Sequence, residues 1–237
     1  MIFAAGLGTR LAEETTNKPK ALVKVGNKTL LQRGIEKLAD SGISEVVVNV
    51  HHFPGMIKEF LSENDFGIPV YISDESGKLL DTGGGLKKAR FYLGDSSPIL
   101  IYNVDILSDI DLSTVIRYHQ KSKALATLVV RKRETNRYLK FNDDKRLVGW
   151  VNKKTGETKI AHPDYFDRGV EKAFSGIHIV NSEIFRYMPE EDKFSIIDLY
   201  LKLAENHMVK GYFDESEFWM DVGKPDQLYA ARQLFSD

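Results

Sequence analysis

Met1-Ile2-Phe3-Ala4-Ala5-Gly6-Leu7-Gly8-Thr9-Arg10-Leu11 is a short apolar run that breaks into a Gly-x-Gly turn. The pattern reads as a buried first strand leaving its sheet through a tight loop. Gly6 and Gly8 let backbone pass close to a ligand, and the exposed amides of such a turn bind phosphate oxygens. A dinucleotide fingerprint would place a third glycine at Leu11, and a P-loop would continue Gly-Lys-Ser/Thr. Neither is present, and a basic residue, Arg10, stands inside the turn instead.

A second cation follows in Lys18-Pro19-Lys20-Ala21-Leu22. With Pro19 fixing an extended bend, Lys20 folds back toward the glycine loop and joins Arg10 in neutralising a polyphosphate. Thr29 and Gln32 form a capping-box pattern, and Leu31, Ile35 and Leu38 recur on one helical face before Gly42. Glu45 to Val50 reads as a strand covered on both faces. A helix from Pro54 to about Leu61, a strand Val70–Ser73, a helix Leu86–Leu93 and a strand Ile99–Asn103 continue the alternation. Asp111 caps a helix Leu112–Gln120, after which Ala124–Arg131, Tyr138–Phe141 and Leu147–Asn152 read as strands. Residues 153–168 read as a polar surface loop, followed by a strand Gly176–Val180, a helix Ile196–Asn206, two short strands and a helix opened by Pro225. The expected fold is α/β: a three-layer α/β/α sandwich around a Rossmann-like mixed sheet, with ligands beyond the carboxyl ends of strands. One domain over residues 1–237 is expected, with a β-rich part at about 124–180.

Composition narrows the function. Lys plus Arg number 33 against 34 Asp plus Glu, a net charge of -1, which gives no general attraction to nucleic acid or to an anionic membrane. The absence of cysteine removes disulfides, thiolate metal sites and cysteine nucleophiles, and makes the cytoplasm the expected compartment. No apolar run reaches the length of a bilayer span.

Two carboxylates complete the charge pattern. Asp105 lies just past the strand ending at Asn103, and Asp221 sits in Glu217-Phe218-Trp219-Met220-Asp221-Val222-Gly223. Carboxylates arriving at strand ends from distant sequence suit a magnesium ion shared with phosphates. Asp81-Thr82-Gly83-Gly84-Gly85-Leu86 places glycines before a helix, where a flat base can lie against backbone. His51-His52 reads as structural or as part of a substrate wall and not as a metal or acid-base pair, because adjacent side chains on extended backbone point apart and no third ligand is near in sequence.

Together these residues resemble the sugar-phosphate nucleotidyltransferases, over nearly the whole chain. The resemblance implies that Ala5, Gly6, Gly8, Thr9, Arg10 and Lys20 hold a nucleoside triphosphate. It implies further that Asp105 and Asp221 bind Mg2+, and that Gly83, Gly84 and Gly85 contact the base. Asn103, Ser175 and Gly176 match the family's sugar-side wall. Arg10, Lys20, Asp105 and Asp221 are then the catalytic set. The substrates it implies are a nucleoside triphosphate and a sugar 1-phosphate, with a monomer or small homo-oligomer as the working form. The segments Leu80–Gly85 and Phe174–Ile177 look most like the short N-acetylmuramate 1-phosphate uridylyltransferases, with mannose or heptose 1-phosphate guanylyltransferases next. A left-handed β-helix, which many relatives append, is not expected after Phe235. A rival reading, a metal-dependent glycosyltransferase, has Asp109-Ile110-Asp111 in its favour. It leaves Arg10 and Lys20 without a task, and Asp111 is better used as a helix cap. A second rival, a non-catalytic nucleotide or sugar sensor, would be marked by loss of one of the four charged residues, and all four are present.

Overall fold

The computed structural model describes residues 1–94 and 96–236. In chain order the first elements are β1 (Ile2–Phe3), β2 (Lys24–Val25), β3 (Lys28–Thr29), α1 (Leu30–Asp40), β4 (Val46–Val50), α2 (Pro54–Glu63) and β5 (Val70–Asp74). Next come α3 (Asp81–Leu93), β6 (Ile99–Asn103), β7 (Ile106–Ser108), α4 (Leu112–Ser122), β8 (Ala126–Arg131), β9 (Arg137–Phe141) and β10 (Leu147–Asn152). The chain closes with β11 (Thr158–Ile160), α5 (Pro163–Phe166), β12 (Val170–Val180), α6 (Ile196–Ala204), β13 (Val209–Phe213), β14 (Trp219–Asp221) and α7 (Pro225–Leu234). The fold is α/β and Rossmann-like.

The chain divides into two compact units: Met1–Leu80 with Tyr102–Leu112 and Ser216–Asp237, and Asp81–Ile101 with Ser113–Glu215. In the first unit, β1 lies parallel between β4 and the end of β6, with Ile2 opposite both Val48 and Tyr102. β5 adds a fourth parallel strand beside β4. All five residues of β4 are buried, as a strand flanked on both sides and covered on both faces requires. Helix α1 starts because the Thr29 hydroxyl accepts a hydrogen bond from the Gln32 amide at 3.1 Å. Its buried stripe of Leu30, Leu31, Ile35 and Leu38 gives the unit its apolar core, each such side chain contributing about 1.5–3 kcal/mol. β7 and β14 form a separate antiparallel ribbon, with Asp221 opposite Ile106 and Trp219 opposite Ser108.

In the second unit, β8 pairs antiparallel with β12 and parallel with β13. β12, β9, β10 and β11 continue as antiparallel neighbours. The register of β12 against β8 shifts between Phe174 and His178, and Gly176 takes the positive φ of 78° within that irregularity.

Of the differences from the sequence reading, three are more than a shift of a residue or two at an element's end. Helix α3 begins at Asp81, so Gly83, Gly84 and Gly85 are helical and buried rather than a loop before the helix. The Gly83 amide donates to the Phe194 carbonyl at 2.9 Å, and the Phe194 ring fills the place of a Gly83 side chain. The polar segment 153–168 contains β11 and α5, because β11 is an edge strand with all three residues exposed and so carries no apolar alternation. β12 starts at Val170, six residues before the predicted strand, because its first residues are partly solvent-facing.

Candidate active site

The glycine turn leaves the carboxyl end of β1, between two parallel neighbours. Its root is fixed from below: the Ala4 amide donates to Asn49 Oδ1 at 2.7 Å, and Asn49 Nδ2 donates to Glu75 Oε1 at 2.7 Å. Asn49 and Glu75 are both buried, so this polar link is formed away from water, where each bond is hard to exchange. His51, the next residue but one, donates its Nδ1–H to the Glu75 carbonyl at 2.7 Å.

Ala5 is buried, while Gly6, Thr9 and Arg10 are exposed and open to a ligand. Nothing lies within 4 Å of the position a Gly6 Cβ would take. Gly8 has φ 68°, a conformation that favours glycine, and starts a 3-10 turn over Thr9–Thr15 that presents Arg10. The Thr15 hydroxyl donates back to the Gly8 carbonyl at 3.0 Å. From the far end of the chain, Arg232 donates to both Glu14 oxygens, at 2.6 and 3.0 Å, and holds the same turn against α7.

Lys20 follows Pro19, whose extended backbone (φ -69°, ψ 149°) turns the chain back toward the glycine loop. Its ammonium donates to the Asp105 carboxylate. Asp105 and Asp221 are brought side by side by the β7–β14 ribbon, and the Val222 amide donates to the Asp105 carbonyl at 2.9 Å. Burial pushes the Asp221 carboxyl above the usual carboxylate range, and the charge of Asp105 adds to that. Lys20, the Gly223 amide and Arg10 pull it back down. The four charged residues singled out in the sequence therefore meet at one place in the first unit. The marker of that meeting point is Gly223, around whose absent Cβ Asp221 Oδ1, Arg10 Nη2 and Lys20 Nζ stand at 2.7, 2.9 and 3.1 Å.

Two carboxylates beside two cations form a hard, oxygen-only donor set. Among the described residues no group of three or more His, Cys, Asp or Glu could hold a metal by itself. Such a pair fits magnesium, which keeps waters and takes one or two carboxylates plus substrate phosphates.

Asn103, at the end of β6, is partly buried opposite Phe3. Gly83, Gly84, Gly85, Ser175 and Gly176 belong to the second unit. Ser175 is fully buried there and its hydroxyl donates to the Val129 carbonyl at 2.7 Å. Sequence reading passed over Asn49, Glu75, Arg232 and Gly223. Only Asn49 carried a signal, as a polar residue inside an apolar strand.

Known proteins match the whole chain. The family model described as "Nucleotidyl transferase" covers residues 1–237. A mannose-1-phosphate guanyltransferase of Yarrowia lipolytica is 30% identical over 99% of this chain, which spans 63% of that relative's length. An N-acetylmuramate alpha-1-phosphate uridylyltransferase of Caulobacter vibrioides is 30% identical over 100% of this chain and 96% of its own. The structure of HddC from Yersinia pseudotuberculosis, 24% identical, superposes with a TM-score of 0.79 over 99% of this chain and 98% of that one. With this fold and these matches, the chain belongs to the nucleotidyl transferase family.

Proposed function

We propose that the protein transfers a nucleotidyl group from a nucleoside triphosphate to a sugar 1-phosphate, releasing pyrophosphate. The convergence of Arg10, Lys20, Asp105 and Asp221 at the carboxyl end of β1 carries this reading. A phosphate monoester with a second pKa near ~6 is already ionised at neutral pH, so its oxygen attacks the α-phosphorus without a protein base. The task left to the protein is to align two anions that repel each other and to neutralise charge on the α-phosphate and the leaving group. The amides of Gly6, Gly8 and Thr9 hold phosphate oxygens, and Arg10 and Lys20 supply positive charge. Asp105 and Asp221 would hold Mg2+, which supplies further charge neutralisation when bound. The family resemblance alone assigns the base to Gly83, Gly84 and Gly85 and the sugar to Asn103, Ser175 and Gly176; Gly83 is packed on Phe194 and the Ser175 hydroxyl is bonded internally, so neither offers a free side-chain position.

The relative of matching length acts on N-acetylmuramate 1-phosphate, which makes UTP with that sugar phosphate the first pair to test. The mannose-1-phosphate guanyltransferases make GTP with mannose 1-phosphate the second, and heptose 1-phosphate with GTP is the remaining pair the sequence resemblance suggests. Either product would be a cytoplasmic precursor of cell-wall or surface polysaccharide. Screening the common triphosphates against sugar 1-phosphates for pyrophosphate release tests the reading. No release from any pair by the folded protein ends it, and sugar transfer from a nucleotide sugar would replace it with the glycosyltransferase alternative.

A further inference from the structure

Gly223 is buried, and its conformation does not demand glycine, since it is absent from the positive-φ positions. The three nearest neighbours of an added methyl group are all ends of charged side chains: Asp221 Oδ1 at 2.7 Å, Arg10 Nη2 at 2.9 Å and Lys20 Nζ at 3.1 Å. Ordinary contact of a methyl carbon begins several tenths of an ångström further out. A methyl would therefore move each of them, and because each ends a flexible chain the movement would cost the fold little.

We propose that Gly223 is a positioning residue: its missing side chain keeps open the point at which Arg10, Lys20 and Asp221 approach one another, so that one phosphate chain meets both cations while Asp221 stays beside them. Its amide, donating to Asp221 Oδ1 at 2.9 Å, fixes that carboxylate at the edge of the gap. The inference rests on the reaction proposed above for its meaning in turnover, but its geometry is testable without turnover. Arg10 and Lys20 bind the same anion only while their ends stay a hydrogen bond's reach from a common point, and a methyl placed there parts them.

The test compares Gly223→Ala with Gly55→Ala, a glycine in α2 whose added methyl meets nothing within 4 Å. Binding of inorganic pyrophosphate is measured by calorimetry with EDTA present, so that the two cations are read without metal. Gly223→Ala is expected to unfold within ~2 °C of the wild type. Its pyrophosphate affinity is expected to fall about 10-fold, the loss of one charge-assisted contact. With Mg2+ and the substrate pair found by screening, kcat falls and the KM for triphosphate rises, while Gly55→Ala matches the wild type in all three measurements. Unchanged affinity and turnover in Gly223→Ala overturn the proposal, as do failure of that variant to fold or an equal loss in Gly55→Ala. A wild type that binds pyrophosphate, weakened by Gly223→Ala, yet turns over no pair sinks the proposed reaction and leaves the role of Gly223 standing. A wild type that binds no pyrophosphate without metal overturns the role of Gly223 and leaves the proposed reaction to be judged by the screen for pyrophosphate release.

Discussion

The ammonium of Lys20 is hydrogen-bonded to the carboxylate of Asp105, 85 residues further along the chain, and both side chains are largely withdrawn from water. Neither charge would be retained there for stability alone, because desolvating an ion pair consumes much of its attraction. Asp221 stands beside the pair, so Lys20 keeps a carboxylate near it even when Asp105 is neutralised. Asp105→Asn is therefore expected to fold and to lose pyrophosphate release by on the order of 10²-fold or more. Circular dichroism and a pyrophosphate-release assay on the same preparation check this; substantial turnover in the folded variant removes Asp105 from the metal role.

Asp221 should limit stability at neutral pH. Its carboxyl is raised by burial first and by Asp105 second. The folded protein then binds more protons than the unfolded chain just above the unfolded value of ~3.9, so this group's contribution to stability declines as pH rises through that window and stays low above it. Asp221→Asn is expected to melt higher than the wild type at pH 7, with the two curves converging toward pH 4, while pyrophosphate release is lost. A variant that melts lower at pH 7 would mean that Arg10 and Lys20 need Asp221 more than burial penalises it.

What the sequence made legible follows a physical division. The β1 strand, the glycine turn and the valine strand were readable because period and punctuation are local. The four charged residues were readable because each sits beside a glycine, a proline or a strand end. The start of α3 was not, since three glycines are poor helix formers and the contacts that hold Gly83, the Phe194 carbonyl and ring, lie more than 100 positions away. Asn49 and Gly223 owe their importance to neighbours 45 and more than 200 positions away, at Ala4 and Arg10, and no window along the chain contains both partners.

Gly6 and Gly83 should separate binding from stability. An added methyl at Gly6 meets nothing within 4 Å, whereas at Gly83 it meets the Phe194 ring and carbonyl. Gly83→Ala is expected to destabilise by about 1–3 kcal/mol through overpacking. Gly6→Ala should leave the melting temperature unchanged and weaken triphosphate binding, because the methyl enters the space above the turn. Chemical denaturation and nucleotide titration of both variants decide it; equal stability of the two would remove Phe194 as the reason for a glycine at 83.

His178 should make the protein sensitive to acid. It lies on β12, fully enclosed, with its Nδ1 hydrogen-bonded to the Tyr200 hydroxyl and its ring edge-on to that of Phe174. Burial pushes its pKa down to about 3. A base whose folded value is depressed stays neutral in the folded protein while the unfolded chain gains a proton below ~6.5. Its contribution is thus present above pH ~6.5 and is lost as pH falls toward 3, at ~1.4 kcal/mol per pH unit. His178→Gln gives up the packed imidazole and should be less stable at pH 7.5, yet its stability should fall less steeply between pH 6 and 4 than that of the wild type. Urea unfolding across that range measures both slopes, and parallel slopes would show that His178 is not the group that charges on unfolding.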